Sequence, residues 1–179
     1  MPSPLPICAA LLSGAALLLT GCGPNVERFP PPCPQTVINR DAADLNRFRG
    51  TGRDLTDLVV SGRITGLNGT CTRTSNTVTT VSMSVNLELT RGPAARGATT
   101  SVSYFVAVSL NDQILDKRVF GFQPEFASNS DRLRLTGNVV ELALPVNANR
   151  TAASYKVTAG FQLTPDELAT NRALDRTRR

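Results

Sequence analysis

Between residues 58 and 163 apolar and polar side chains alternate with a period of two, and that period is the strongest constraint on what this chain can fold into. A period of two places every second side chain on one face of an extended strand, so one face is buried and the other is wet. Leu58, Val60, Gly62 and Ile64 alternate with Val59, Ser61, Arg63 and Thr65. Asn68-Gly69, beyond Leu67, is a strong two-residue hairpin signal, and it predicts a second strand returning through Cys71. Val81, Met83, Val85, Leu87 and Leu89 alternate with Ser82, Ser84, Asn86, Glu88 and Thr90, the clearest half-buried strand in the chain, and Arg91-Gly92-Pro93 ends it. Val102, Tyr104, Val106, Val108 and Leu110 repeat the pattern, and Asn111-Asp112 turns the chain into a strand over 114–122.

Leu133 and Leu135 lie on one parity and Val140, Leu142, Leu144 and Val146 on the other, so the alternation slips once around Gly137-Asn138. A β-bulge there would restore a single face. Tyr155, Val157, Ala159, Phe161 and Leu163 complete the set. Six to seven strands separated by turn signals predict a mainly β fold, an antiparallel β-sandwich. The absence of tryptophan, and hence of a Cys-Trp-Cys spacing, does not support an antibody-type domain.

Two short helices are expected at the flanks. Residues 39–48 place Leu45 and Phe48 three apart on one helical face, which predicts an N-terminal helix. Thr164-Pro165-Asp166-Glu167 reads as the start of a C-terminal helix, with Thr164 as cap, proline in the first turn and Glu167 three residues on. Arg172, Arg176, Arg178 and Arg179 then suit the negative end of its dipole. Gly50-Thr51-Gly52-Arg53-Asp54 lacks the ending of a phosphate loop and reads as a turn in which Arg53 and Asp54 pair.

Composition argues against several functions. Nineteen basic residues against fourteen acidic ones give a net charge of +5, but aromatics are only 5% of the chain, too few to build stacking platforms for nucleic acid. There is no histidine, so the commonest general base is missing and Cys33 and Cys71 have no imidazole partner. A Ser-Lys dyad would have to use Lys117 or Lys156, both in strand-like stretches. Asp54, Asp57, Asp112, Asp116, Glu125 and Asp131 could supply a carboxylate pair, but sequence spacing shows no two of them converging. No histidine and few thiolates leave no tetrahedral metal site. The expectation is a chain without catalytic residues, cofactor or metal.

The address comes from the N-terminus. Residues 7–19 hold ten apolar residues in thirteen, a length that suits a signal-peptide core and is too short to span a bilayer. Leu19-Thr20-Gly21-Cys22 follows, and it resembles the lipobox of bacterial lipoproteins. The resemblance implies that residues 1–21 are a signal peptide and that Cys22 becomes the mature N-terminus, carrying a diacylglyceryl thioether and an acylated amino group. Several acyl chains anchor far more firmly than one, since each buried methylene contributes about 0.8 kcal/mol. Residues 1–7 lack Lys and Arg, so the signal is atypical or translation starts elsewhere. Gly23, in place of the aspartate that marks inner-membrane retention in that family, favours the outer membrane with the domain facing the periplasm. Cys33-Pro34, Arg53-Asp54-Leu55-Thr56 and Gly160-Phe161-Gln162-Leu163-Thr164-Pro165 also resemble stretches of short uncharacterised lipoproteins of Gram-negative bacteria, a likeness that carries no function.

With Cys8 in the signal and Cys22 lipidated, Cys33 and Cys71 are the pair left in an oxidising compartment, and a disulfide between them is the natural reading. It would stabilise by roughly 4 kcal/mol in the chain-entropy model. Residues 22–34, with Pro30-Pro31-Pro32, form a semi-rigid tether. Residues 35–164 form the sandwich, and residues 165–179 the C-terminal helix or tail.

The functional expectation is a non-catalytic structural or protein-binding module of the cell envelope, tied to the bilayer through Cys22 and meeting an envelope protein through residues 91–99, residues 123–131 or an open edge strand. A glycan- or peptidoglycan-binding module, or a cell-wall hydrolase, is the alternative. Mass spectrometry of the native protein should find Cys22 as a triacylated N-terminus, and Cys22→Ser should release the protein from membranes; an intact residue 1 on the membrane-bound form would contradict the lipid reading.

Overall fold

The computed structural model describes residues 32–95 and 101–177, and the signal and Cys22 lie outside them. Among the described residues nine strands make two sheets facing one another, a sandwich-like arrangement with one C-terminal helix. The strands are β1 (Gln35–Ile38), β2 (Asp44–Phe48), β3 (Leu58–Ser75), β4 (Val78–Arg91), β5 (Val102–Leu110), β6 (Gln113–Phe122), β7 (Arg132–Thr136), β8 (Val140–Pro145) and β9 (Tyr155–Phe161). One sheet runs β1-β9-β5-β6; in the other β2-β3-β4-β7 are consecutive neighbours and β8 also pairs with β4. All pairs are antiparallel except β1 with β9, so the sandwich is not purely antiparallel.

The alternation works as expected along β4. Val81, Met83, Val85, Leu87 and Leu89 are buried, while Ser82, Ser84, Asn86, Glu88 and Thr90 face outward. They meet Val102, Tyr104, Val106 and Val108 from β5 and Tyr155, Val157, Ala159 and Phe161 from β9 in one core. The Tyr104 ring stacks on Phe120 with centroids 5.2 Å apart, and burial pushes its phenol above the ordinary value. The Tyr155 hydroxyl donates to the Pro145 carbonyl of β8 at 2.5 Å, tying the two sheets at one end.

Four expectations need correction. The helix over 39–48 is absent. Asn39 accepts a bond from the Asp41 amide and caps a single 3-10 turn at Arg40–Ala42, after which the chain extends as β2. A ten-residue helix is marginal on its own, whereas pairing with β3 sets Leu45 opposite Gly62 and buries it fully. The hairpin does not turn at Asn68-Gly69 either. β3 runs straight through to Ser75 and turns at Asn76-Thr77, so Cys71 belongs to the same strand. Gly69 serves a close approach: a Cβ there would lie 2.9 Å from the Ser82 carbonyl oxygen. The parity slip at Gly137-Asn138 is a break between two strands and not a bulge. β7 pairs with one half of β4 and β8 with the other, and the Gly137 amide bonds Val85 O between them. Finally, the strand number among the described residues is nine, since β1 and β2 carried little alternation of their own and the parity slip at Gly137-Asn138 divides β7 from β8.

Other expectations hold. Asn111 and Asp112 both adopt positive φ, 51° and 62°, the backbone of a primed two-residue turn. The helix α1 (Pro165–Thr177) opens with the capping box: the Thr164 amide donates to Glu167 Oε2 at 2.8 Å and the Glu167 amide to Thr164 Oγ1 at 3.3 Å. Asn171 of α1 donates to the carbonyls of Asp41 and Asp44 at 3.0 and 2.7 Å, which brings the helix beside β2. Residues 7–19, expected to be too short to span a bilayer, lie outside the described residues, among which no helix is long and apolar enough to cross a membrane. Cys33 and Cys71 meet at disulfide distance, with Cα atoms 5.9 Å apart.

Two outcomes follow for stability. Gly92→Ala, whose Cβ would collide with the Leu58 backbone carbonyl, should cost about 1–3 kcal/mol in chemical denaturation. Gly66→Ala, with 3.6 Å to its nearest neighbour, should stay within about 0.5 kcal/mol. Peptide mapping after maleimide treatment of the unreduced, denatured protein should find neither Cys33 nor Cys71 modified.

Candidate functional site

Two surfaces stand out, one polar and one apolar. On the outer face of the second sheet the register places Asp44 opposite Arg63, Arg63 opposite Glu88, and Glu88 opposite Arg134. Neighbouring strands lie about 4.8 Å apart, so these four side chains form a row of alternating charge across the sheet. Arg63 Nε donates to Asp44 Oδ1 at 2.6 Å, Arg134 Nε to Glu88 Oε2 at 2.7 Å, and Arg132 Nε lies 3.6 Å from Glu88 Oε1. Asp44, Arg63 and Glu88, with Asn46, Ser61 and Thr90, line an open polar dish. The Arg134 hydrogen bond, aided by the charge of Arg132, holds the Glu88 carboxyl below the ordinary carboxylate range. The Asp44 hydrogen bond and charge raise Arg63 above its ordinary value. A carboxyl held charged in this way is the reverse of the proton donor that glycoside cleavage needs.

The apolar surface is β6, an outer strand of its sheet. Ile114, Leu115 and Val119 are exposed by 63%, 52% and 52%, unlike the large apolar side chains of any other described strand. The reason lies in the pattern: Ile114-Leu115 are adjacent and Asp116-Lys117-Arg118 follow, so no single face is apolar. A register shift between Val108 and Ser109 leaves Leu115 as an extra residue on β6. Arg118 crosses the gap between the sheets and donates to Glu141 O of β8 at 2.9 Å, and its Nε bonds Asp116 Oδ2 at 3.0 Å.

The residues weighed for catalysis are dispersed. Asp112 pairs with Lys156 at 3.3 Å, Asp116 with Arg118, and Asp131 with Arg91 at 2.7 Å. Lys117 Nζ lies 4.6 Å over the Phe105 ring, and the Asp57 carboxylate packs against Gly52. Arg53 donates to the Gly52 carbonyl and lies over Phe48. Among the described residues no group of three or more Cys, Asp or Glu side chains is placed to hold a metal ion. The two loops expected to carry contacts are joined to each other, since Arg91 bonds Asp131 and covers the Phe126 ring; residues 96–100 of the first lie outside the described ones. A small cleft of about 180 Å³ opens beside Cys33 and Cys71, with Leu67, Val81 and Met83 in its wall.

Sequence reasoning missed the charged row and the exposure of β6. The outward parity of Arg63 and Glu88 was visible, but only strand pairing aligns them. The run Ile114-Leu115 with three charges behind it was the available sign of an unburied strand.

In NMR titration the Glu88 carboxyl should protonate below an ordinary glutamate, and Arg134→Gln should move it upward. Because the folded value is the lower one, the associated stability is present above the unfolded carboxylate range and is lost as pH falls through the lowered value. A Glu88 midpoint unmoved by Arg134→Gln would contradict the hydrogen bond as the main cause.

Compared with protein-family models, curated proteins and solved structures, the chain matches none.

Proposed function

We propose that this chain is a lipid-anchored lipoprotein of the bacterial outer membrane, facing the periplasm, that works as a non-catalytic protein-binding module. The observation that carries the reading is where the chain enters the fold. Pro32 and Cys33 sit at the edge of the sandwich, beside Cys71 and immediately before β1. The ten residues 23–32 upstream of Cys33 could span about 30 Å if extended as polyproline II. An anchor at Cys22 would thus hold a rigid domain close to the headgroups, with its root stapled by the Cys33–Cys71 link. Three of the six acidic side chains weighed for catalysis, Asp112, Asp116 and Asp131, are engaged in exposed ion pairs, which supports a binding surface over a reacting centre.

The polar dish around Arg63 and Glu88 favours a second reading, a module that binds a polar glycan such as peptidoglycan. The two separate on substitution. Under the protein-binding reading, changes on β6 should abolish co-purification of envelope protein from crosslinked cells, while Arg63→Ala or Glu88→Ala leaves it intact. Loss of sedimentation with purified peptidoglycan on Arg63→Ala, with β6 variants unaffected, would replace it by the glycan reading.

A further inference from the structure

We propose that β6 pairs with the β6 strand of a second copy of this chain, antiparallel about Lys117, joining the two four-stranded sheets edge to edge.

Among the described residues every other strand edge is covered, short, broken or polar. β2 is covered by α1 through Asn171. β1 is four residues long and begins two residues after Cys33. The β7–β8 edge is broken at Gly137-Asn138, ends in Pro145, and has Glu141 O occupied by Arg118. The far half of β3 is flanked by Cys33 and carries Asn68, Thr70, Thr72 and Thr74. Among the described strands β6 alone combines ten residues with several large exposed apolar side chains, Ile114, Leu115 and Val119.

The occupant follows from the strand's own charge pattern. About Lys117, Asp116 of each copy faces Arg118 of the other, so opposite charges meet twice. The extra residue at Leu115 shifts the count by one, so that Leu115 and Asp116 together oppose Arg118, and Ile114 comes opposite Val119. These pairs keep to one face each, Asp116 and Arg118 with the inner row of β5, Ile114 and Val119 with the outer row. The backbone agrees. A two-residue turn at Asn111-Asp112 makes Leu110 and Gln113 a bonded pair, and counting on past the bulge turns the N–H and C=O of Lys117, Val119 and Gly121 away from β5. A two-fold at Lys117 therefore sets free donors against free acceptors.

Lys117 itself opposes pairing, because the two ammonium groups approach at the axis. In the single chain Lys117 leans over Phe105 at 4.6 Å, away from that axis. The result is a weak, reversible contact that a lipid anchor would strengthen by concentrating the copies; only that strengthening rests on the lipid reading.

Sedimentation equilibrium of the full chain carrying Cys22→Ser tests the pairing without dependence on lipid. The chain should self-associate; Asp116→Arg or Arg118→Asp alone should weaken this about tenfold, the double exchange should restore it, and the two single variants mixed should associate with each other. Lys117→Thr should tighten the dimer. Val119→Pro, which removes an outward N–H and leaves the β5 pairing intact, should abolish it. A chain that stays monomeric at every concentration, a double exchange no better than the single ones, or a Val119→Pro chain that dimerises like the parent would overturn the proposal.

Discussion

The inward row of β4 is the constraint on which the rest depends. Val81, Met83, Val85, Leu87 and Leu89 are each at most 3% exposed, and burial of each such side chain contributes about 1.5–3 kcal/mol. β4 also holds the second sheet together, with β3 along one side and β7 and β8 sharing the other. A single strand thus sets the register of three neighbours. A one-residue slip would turn all five side chains to solvent.

That arrangement makes clear what was legible in advance. The period of two identified β4, β5 and β9 because their apolar residues lie on one face and are buried there. The capping box of α1 was legible because two reciprocal bonds, Thr164 with Glu167, depend only on local spacing. Residues 39–48 misled because Leu45 and Phe48 fit a helix in spacing, while the choice of β2 is made by β3, a partner distant in sequence. Asn68-Gly69 misled for a related reason: the glycine is demanded by the approach of Ser82 O and Met83 from β4, and not by a turn. The charged row Asp44-Arg63-Glu88-Arg134 spans three separate pairings, so no stretch of sequence displays it.

With the core spent on β4, β5 and β9, chemistry is left to the rim. Exposed ion pairs contribute little to stability, typically about 0.2–1 kcal/mol, so the charged row does little to hold the sheet. Strand edges matter more, because an unpaired row of N–H and C=O groups is a template for another chain. The helix beside β2, the cysteine pair beside β3 and the break between β7 and β8 each remove such a template. β6 keeps its template and adds apolar side chains to it.

The central proposal is that the fold serves as a scaffold presenting β6 at a membrane. Hydrogen exchange on the native protein, compared between membranes and dilute detergent, tests it most directly. The account predicts that amides of Lys117, Val119 and Gly121 gain protection on the membrane while those of β4 are slow in both. Equal exchange of the β6 amides in the two states, or an N-terminus that never reaches the membrane, would contradict it.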